Sequence, residues 1–318
     1  MALTKITLNV TLRRLIGRPL VPSWSWGVEC ATLFLREQMR HAFTFRDPME
    51  AREYLDSLVF KPIDHPDVRV TPNPTGPRGE WFEPAHACLG RTMLYMHGGG
   101  YAFHSQGHAP MVALFAEAAR ARTFSLNYRL TPESPHPAQL EDAVAAYRWL
   151  LESGVASSQL VIAGDSAGGH LTLMLLLELQ RQRLPQPALA IGICPWTDIG
   201  ARGASLFAND RYDWVLGEMA LQFGHWYQHG TGLSREALSP ISGQFAGLAP
   251  IYLQAGDKEI LVDMIRDFAE IARGQGADVS LDVWPDMTHD FQAFGSMLPE
   301  SREALAKFGA AVDLRIPH

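Results

Sequence analysis

The chain has 318 residues, 47% of them hydrophobic and 19% charged, with a formal net charge of -7. That balance suits one large globular α/β domain with an elaboration, or two small domains. With an acidic surplus and no basic run, neither nucleic acid nor an anionic membrane is expected as a partner.

Residues 1–20 are interrupted by Lys5, Arg13, Arg14 and Arg18 and carry no apolar core of signal-peptide length. No apolar run reaches membrane-spanning length, so no stable membrane insertion is expected. Cys30, Cys88 and Cys194 lie far apart with no CxxC spacing, which points to structural thiols in a reducing compartment and a cytoplasmic location. Residues 23–45 have apolar and charged positions at helical spacing, predicting one or two amphipathic helices. A Pro-rich stretch at 61–84 follows, whose pieces "DVRV" and "GEWF" read as edge strands between loops.

From about residue 91 a regular alternation begins. "RTMLYMH" predicts a buried strand, 109–120 a helix, "RTFSLNY" a strand and "QLEDAVAAYRWLLES" a helix. Strand "QLVIAG", helix "GGHLTLMLLLELQRQ" and strand "ALAIGIC" continue it. Strands alternating with helices imply right-handed crossovers and a mostly parallel sheet covered on both faces. Residues 199–247 break the pattern with the helical patch "WVLGEMALQFGHWYQHG", which predicts a lid above the carboxyl ends of the strands, where ligands of such sheets bind. Strand "PIYLQAG", helix 260–275, strand "VSLDVWP" and a final helical region complete the chain.

Two glycine-rich stretches carry chemistry. Gly164-Asp165-Ser166-Ala167-Gly168 is a G-x-S-x-G pattern between an apolar strand and an apolar helix, the setting of a nucleophile elbow. Taken alone, the pentapeptide reads equally well as a helix N-cap. A serine nucleophile needs a base and a group to orient that base. His289 in "VWPDMTHDF" follows a strand and a turn and is the candidate base; Asp257, Glu259 and Asp263 in "GDKEILVD" are all candidate orienting acids.

The run "HGGGY" at 97–101 ends another strand. Three glycines there can turn backbone N–H groups toward an oxyanion with no Cβ in the way, so Gly98, Gly99 and Ala167 are the expected donors and His97 the residue that pins the loop. The i,i+4 pairs His225/His229 and His104/His108 lack a third ligand, and no metal is expected on either.

"HGGGY", "YRLTPESPHPAQLEDA" at 128–143, "GDSAGG" at 164–169, "PWTD" at 195–198 and the stretches around Glu259 and His289 together resemble the hormone-sensitive-lipase-like family of α/β-hydrolases, in consistent order from about residue 67 onward. The resemblance implies an eight-stranded α/β-hydrolase sheet, with residues 51–318 as the catalytic domain. It further implies a helical cap built from residues 1–50 and the insertion at about 199–247. It implies action on short-to-medium acyl esters, related lactones or acetylated compounds, with no cofactor or metal. Matching the family's D-P-L-x-D loop without gaps puts Glu259 at the acid position and leaves Asp257 as runner-up. His104 stands where a small residue is common, a departure that bears on the acyl side.

Tyr128, Arg129 and Glu133, with Asp165, are expected to support the oxyanion loop, while Asp142 either braces it or faces solvent. Phe103, Phe207, Trp214, Phe223 and Trp226 are the candidate apolar lining of a substrate pocket, each of which also reads as lid core. The expected function is a serine carboxylesterase acting on a small-molecule ester. The alternatives are an amidase or deacetylase on the same residues, and a non-catalytic binder with this fold. A homodimer through an edge strand or helix is the one assembly left open.

Overall fold

The computed structural model of the chain describes residues 2–58, 67–104 and 106–317. Residues 61–66 of the expected Pro-rich stretch, and Ser105 in the glycine loop, lie outside them. Three helices come first: α1 (Ala2–Leu15), α2 (Trp26–Ala42) and α3 (Pro48–Ser57). Their starts are written locally. Ser25 caps α2 by accepting from the Val28 N–H at 3.2 Å, and Asp47 caps α3 through the Met49 N–H at 2.9 Å with Pro48 behind it.

The sheet follows: β1 (Val68–Pro72), β2 (Gly79–Pro84), β3 (Thr92–Met96), β4 (Arg122–Leu126), β5 (Leu160–Asp165), β6 (Leu189–Ile193), β7 (Ile251–Gly256) and β8 (Val279–Trp284). Its order is β1-β2-β4-β3-β5-β6-β7-β8. All neighbours from β4 to β8 run parallel, and β2 is antiparallel to both β1 and β4. The expected mostly parallel eight-stranded sheet is therefore present. One detail differs: of the two strands expected at an edge, β1 is at one and β2 is not, because β2 slots between β1 and β4.

Strands β3, β5, β6 and β7 are buried along their whole length, as strands covered on both faces must be. Helices α4 (Ala109–Ala119) and α10 (Pro299–Arg315) pack on one face against Tyr95, Val161 and Ile191. Helices α5 (Ala138–Glu152), α6 (Ser166–Arg181) and α9 (Val262–Gly274) pack on the other, against Leu94, Ile162 and Leu253. Helix α6 comes so close to β3 that a Cβ on Gly168 would stand 1.9 Å from the Met96 carbonyl oxygen, so glycine is required there.

The segment between β6 and β7 holds α7 (Ser205–Ala208) and α8 (Gly217–Gln228). Together with α2 and α3 it stands over the carboxyl ends of the parallel strands and walls a cavity there. No disulfide joins the three cysteines, and among the described residues no helix is long and apolar enough to cross a membrane.

Candidate active site

The carboxyl ends of β3, β5, β7 and β8 each deliver one part of the site. Ser166 is the first residue of α6, immediately after β5, at φ 53°. That left-handed conformation costs a residue with a side chain about 1–3 kcal/mol, and the Trp196 N–H donates to the Ser166 carbonyl at 3.0 Å. The helix-cap reading of this stretch does not describe what is seen. Asp165 occupies the cap position, but its side chain makes no capping bond and instead accepts from the Tyr95 hydroxyl at 2.7 Å.

Glu259 lies in the turn after β7 and His289 in the turn after β8. Both are buried, and Glu259 Oε2 is 3.1 Å from His289 Nδ1. Asp257 is directed elsewhere: its carboxylate accepts from the Asp286 N–H at 2.7 Å and pairs with Lys258 at 3.2 Å. Asp263 accepts from the Ser205 N–H at 2.9 Å. Of the three candidate acids, only Glu259 is brought to the imidazole.

A third carboxylate braces this pair. Asp213, from the inserted segment, is fully buried and accepts from the N–H groups of Ile260 at 2.7 Å, Trp214 at 2.8 Å and His289 at 3.2 Å. Arg36 of α2 in turn donates to the Asp213 carbonyl at 2.6 Å, and the Trp214 indole donates to the His289 carbonyl at 2.8 Å. Sequence reasoning missed Asp213, and nothing local to it could have shown that it faces two distant turns.

Burial disfavours an imidazolium at His289, but Asp290, Glu259 and Asp213 outweigh that and raise its pKa to about 10. Burial also raises Asp213, to about 6. It pushes the Asp290 carboxyl well up, against the opposing pull of His289. Buried beside Glu259 and Asp290, the Cys194 thiol is likewise pushed up, so it stays protonated. Cys194, Glu259 and His289 offer donor atoms within 4.8 Å of one another, and two of these residues, Glu259 and His289, are already bonded to each other. The pairs His225/His229 and His104/His108 belong to no ligand cluster among the described residues.

The glycine loop lies beside Ser166. Gly99 has φ 97°, and a Cβ there would sit 2.1 Å from the Phe103 carbonyl oxygen. Among the described residues, the N–H groups of Gly98 and Gly99 donate to no acceptor, whereas the Gly99 carbonyl accepts from Ala102 and Phe103. His97 Nδ1 is 2.7 Å from the Gly98 oxygen, its ring stacks on Tyr128 at 4.2 Å, and the Tyr128 hydroxyl donates to the His97 carbonyl at 2.5 Å. Burial and the neighbouring His104 and His108 lower the pKa of His97 well below the ordinary range, so it holds the loop as a neutral ring.

Glu133 reaches the loop indirectly. It takes a bidentate pair from Arg52 of α3, at 2.7 and 2.9 Å, and Arg52 also donates to the carbonyls of Ala102 and Thr131. Arg129 turns away from the loop to Glu141 and to Asp142, which also accepts from the Arg129 N–H at 2.8 Å.

The cavity above Ser166 has a volume of about 550 Å³. Phe103, Trp214 and Phe223 line it with Ser166 and His289. Phe207 and Trp226 do not. Phe207 is half exposed beside Gly217, and Trp226 stacks on Phe43 behind the wall. Much of the wall comes from residues outside the expected lining: Phe34, Met39 and Leu55 of α2 and α3, with Leu261, Phe294 and Met297 opposite. The contribution of the amino-terminal helices runs on through α3 to Leu58 just after it, past the expected boundary at residue 50.

The chain is similar to known α/β-hydrolases. Residues 93–293 match the family described as alpha/beta hydrolase fold. The chain is 40% identical over 233 residues to an acetyl-hydrolase of Streptomyces hygroscopicus, covering 73% of this chain and 78% of that protein. It is 33% identical to an ethyl acetate hydrolase of Pseudomonas putida, covering 69% and 71%. Among solved structures, an esterase from the bacterial hormone-sensitive lipase family superposes with a TM-score of 0.83 at 33% identity, covering 92% of this chain and 99% of that one. EstE5 soaked with p-nitrophenyl butyrate superposes with a TM-score of 0.82 at 34% identity, covering 89% and 96%.

Proposed function

The chain belongs to the hormone-sensitive-lipase family of α/β-hydrolases and is a carboxylic ester hydrolase, and on that premise we propose that it is a serine esterase for short-to-medium acyl esters. One observation carries the reading: His289, paired with the buried Glu259 at 3.1 Å, shares a cavity with a serine held at φ 53°. Residues 1–58 and 199–247 act as the cap that limits what enters.

In the proposed reaction, neutral His289 takes the proton of Ser166 as the hydroxyl oxygen attacks the ester carbonyl. The oxyanion accepts hydrogen bonds from the N–H groups of Gly98, Gly99 and Ala167, the last on the first turn of α6, where the helix dipole favours negative charge. His289 then protonates the leaving alcohol, and water repeats the sequence on the acyl-enzyme. Glu259 remains ionised, fixing the ring with its proton on Nδ1 and stabilising the imidazolium. His97, Tyr128 and Asp165, with Glu133 acting through Arg52, hold the oxyanion loop and elbow in register.

An acetyl or similar short acyl group fits a cavity of about 550 Å³ with aromatic walls, and the relatives named for acetyl and ethyl acetate hydrolysis favour the same size range. The test is hydrolysis of p-nitrophenyl butyrate by wild type and by Ser166→Ala, purified identically. Turnover that vanishes in the variant supports the serine esterase. Turnover that persists in the variant, or a folded wild type with none that also resists a fluorophosphonate, overturns it in favour of a non-catalytic binder or another nucleophile.

A further inference from the structure

Helix α1 is clamped to α2 by one face only. Val10 is fully buried, and one position further round, Arg14 Nε donates to the buried Glu29 carboxylate at 2.8 Å while its Nη2 donates to the Trp24 carbonyl at 2.5 Å. These contacts fix which way the helix faces. On the opposite side Leu8, Leu12 and Leu15 recur at i, i+4 and i+7. Ile16 extends the row, its N–H still bonded to the Leu12 carbonyl at 3.3 Å. All four are between 54% and 77% exposed. Single exposed leucines are ordinary, whereas an aligned apolar row on an anchored helix marks a contact surface. Trp26, at the start of α2, stands beside the row: its indole N–H donates to the Thr11 hydroxyl at 3.0 Å, yet 47% of the residue stays exposed. A tryptophan with an apolar body and a satisfied polar edge suits a boundary between water and an apolar phase.

The acidic total of the chain speaks against an anionic surface, but the charge is unevenly placed. Residues 1–28 contain Lys5, Arg13, Arg14 and Arg18 and no Asp or Glu. Glu29 takes up Arg14 and lies 3.8 Å from Arg13, which leaves α1 and its closing turn with an excess of positive charge. In that turn Gly17 adopts φ 71° and the Arg18 N–H donates to the Arg13 carbonyl at 2.8 Å, bringing Arg18 to the end that bears Leu15 and Ile16. Lys5 and Arg18 are both exposed.

We propose that α1 docks on an anionic lipid bilayer, with Leu8, Leu12, Leu15, Ile16 and the Trp26 ring entering the interface and Lys5, Arg13 and Arg18 meeting the head groups. The helix lies along the surface and spans nothing. A second copy of the chain is the poorer occupant. Two-fold pairing through this row sets basic residues near their own copies, with no acid among residues 1–28 to meet them. Stable dimers also bury about 800 Å² a side, on the order of 20–30 residues, far more than this row and Trp26 supply. Helix α2, on which α1 rests, gives Phe34 and Leu35 to the cavity wall, so docking through α1 brings the cap to the phase where apolar esters collect.

The contact uses none of the proposed catalytic residues and is read without substrate, so it is tested apart from the serine-esterase reading. The experiment is sedimentation of the full chain with vesicles of phosphatidylcholine, alone or with about one third phosphatidylglycerol, at about 0.02 M and about 0.5 M NaCl. At low salt wild type should bind the anionic vesicles about tenfold or more tighter than the neutral ones, and high salt should remove most of that difference. Leu12→Gln/Leu15→Gln exchanges two exposed side chains for another good helix former, so circular dichroism should show an unchanged fold while vesicle affinity falls about tenfold or more. Lys5→Gln/Arg18→Gln should narrow the preference for anionic vesicles. No sedimentation with anionic vesicles at low salt, or binding that Leu12→Gln/Leu15→Gln leaves unchanged, overturns the proposal. A wild-type dimer in sedimentation velocity that the same variant converts to monomer also overturns it, giving the row to a second copy.

Discussion

The carboxylate of Asp213 reaches the backbone N–H of His289 across 76 residues of sequence, at 3.2 Å in a fully buried setting. Because the same carboxylate holds the N–H of Ile260, next to Glu259, it sets the spacing of the two turns that carry the proposed base and its proposed orienting acid.

Replacing Asp213 by alanine leaves three N–H groups without acceptors, two of them buried. The expected cost is about 2–4 kcal/mol of stability, read by denaturant unfolding, with a fall in kcat larger than the change in KM. An Asp213→Ala protein of wild-type stability and turnover would remove it from the account.

Glu259→Gln should lower kcat by about 10⁴-fold, the size seen when a triad carboxylate is lost and the histidine tautomer with it, while the fold survives. Asp257→Asn should stay within about tenfold, since Asp257 braces the Asp286 turn and makes no contact with the imidazole. Steady-state kinetics on both proteins decides, and the reverse ranking would hand the role to Asp257.

The acid limb of the pH profile should move when Asp290 is changed. As the proposed base, His289 works only when neutral, so activity should rise with pH through its pKa, which flanking carboxylates hold above the ordinary 6.5. Asp290→Asn removes one of those carboxylates and should shift the limb to lower pH by about one unit or more. The corresponding share of folding stability is complete below pH 6.5 and drains away as pH climbs through about 10. In the variant that loss should begin at lower pH, and an unshifted limb would mean the carboxylate exerts no field at Nε2.

Gly99→Ala places a Cβ 2.1 Å from the Phe103 carbonyl and forces alanine to φ 97°. The loop must shift, and loss of one aligned oxyanion donor should reduce kcat by about 10²–10³-fold with KM little changed. Circular dichroism alongside kinetics distinguishes a displaced loop from an unfolded protein.

What the sequence discloses follows from how local each cause is. The alternation of strands and helices, the elbow around Ser166 and the glycine run are written in consecutive residues, so fold and nucleophile candidate can be read before any coordinates. Glu259 took a family resemblance to choose, because three carboxylates in one turn are equivalent until their directions are known. Phe207 and Trp226 look like lining for the same reason that Phe223 does: an aromatic on a helix does not declare which side of the wall it occupies. Asp213, Arg52 and Asp290 stay hidden, since their roles arise only when the inserted segment, α3 and the last turns meet. Strand β2 reads as an edge because nothing in "GEWF" tells that β4 will pair beside it.

The cavity has an unequal division of labour between stretches of chain. Its reactive floor is fixed by turns at the ends of four strands, while much of its wall is supplied by α2 and α3, which contribute none of the proposed catalytic groups. Exchange of residues 26–58 for those of a relative is therefore a route to altered substrate choice at constant chemistry. The graft must keep two handles, Arg36 on the Asp213 carbonyl and Arg52 on Glu133, or the new wall will loosen the floor beneath it.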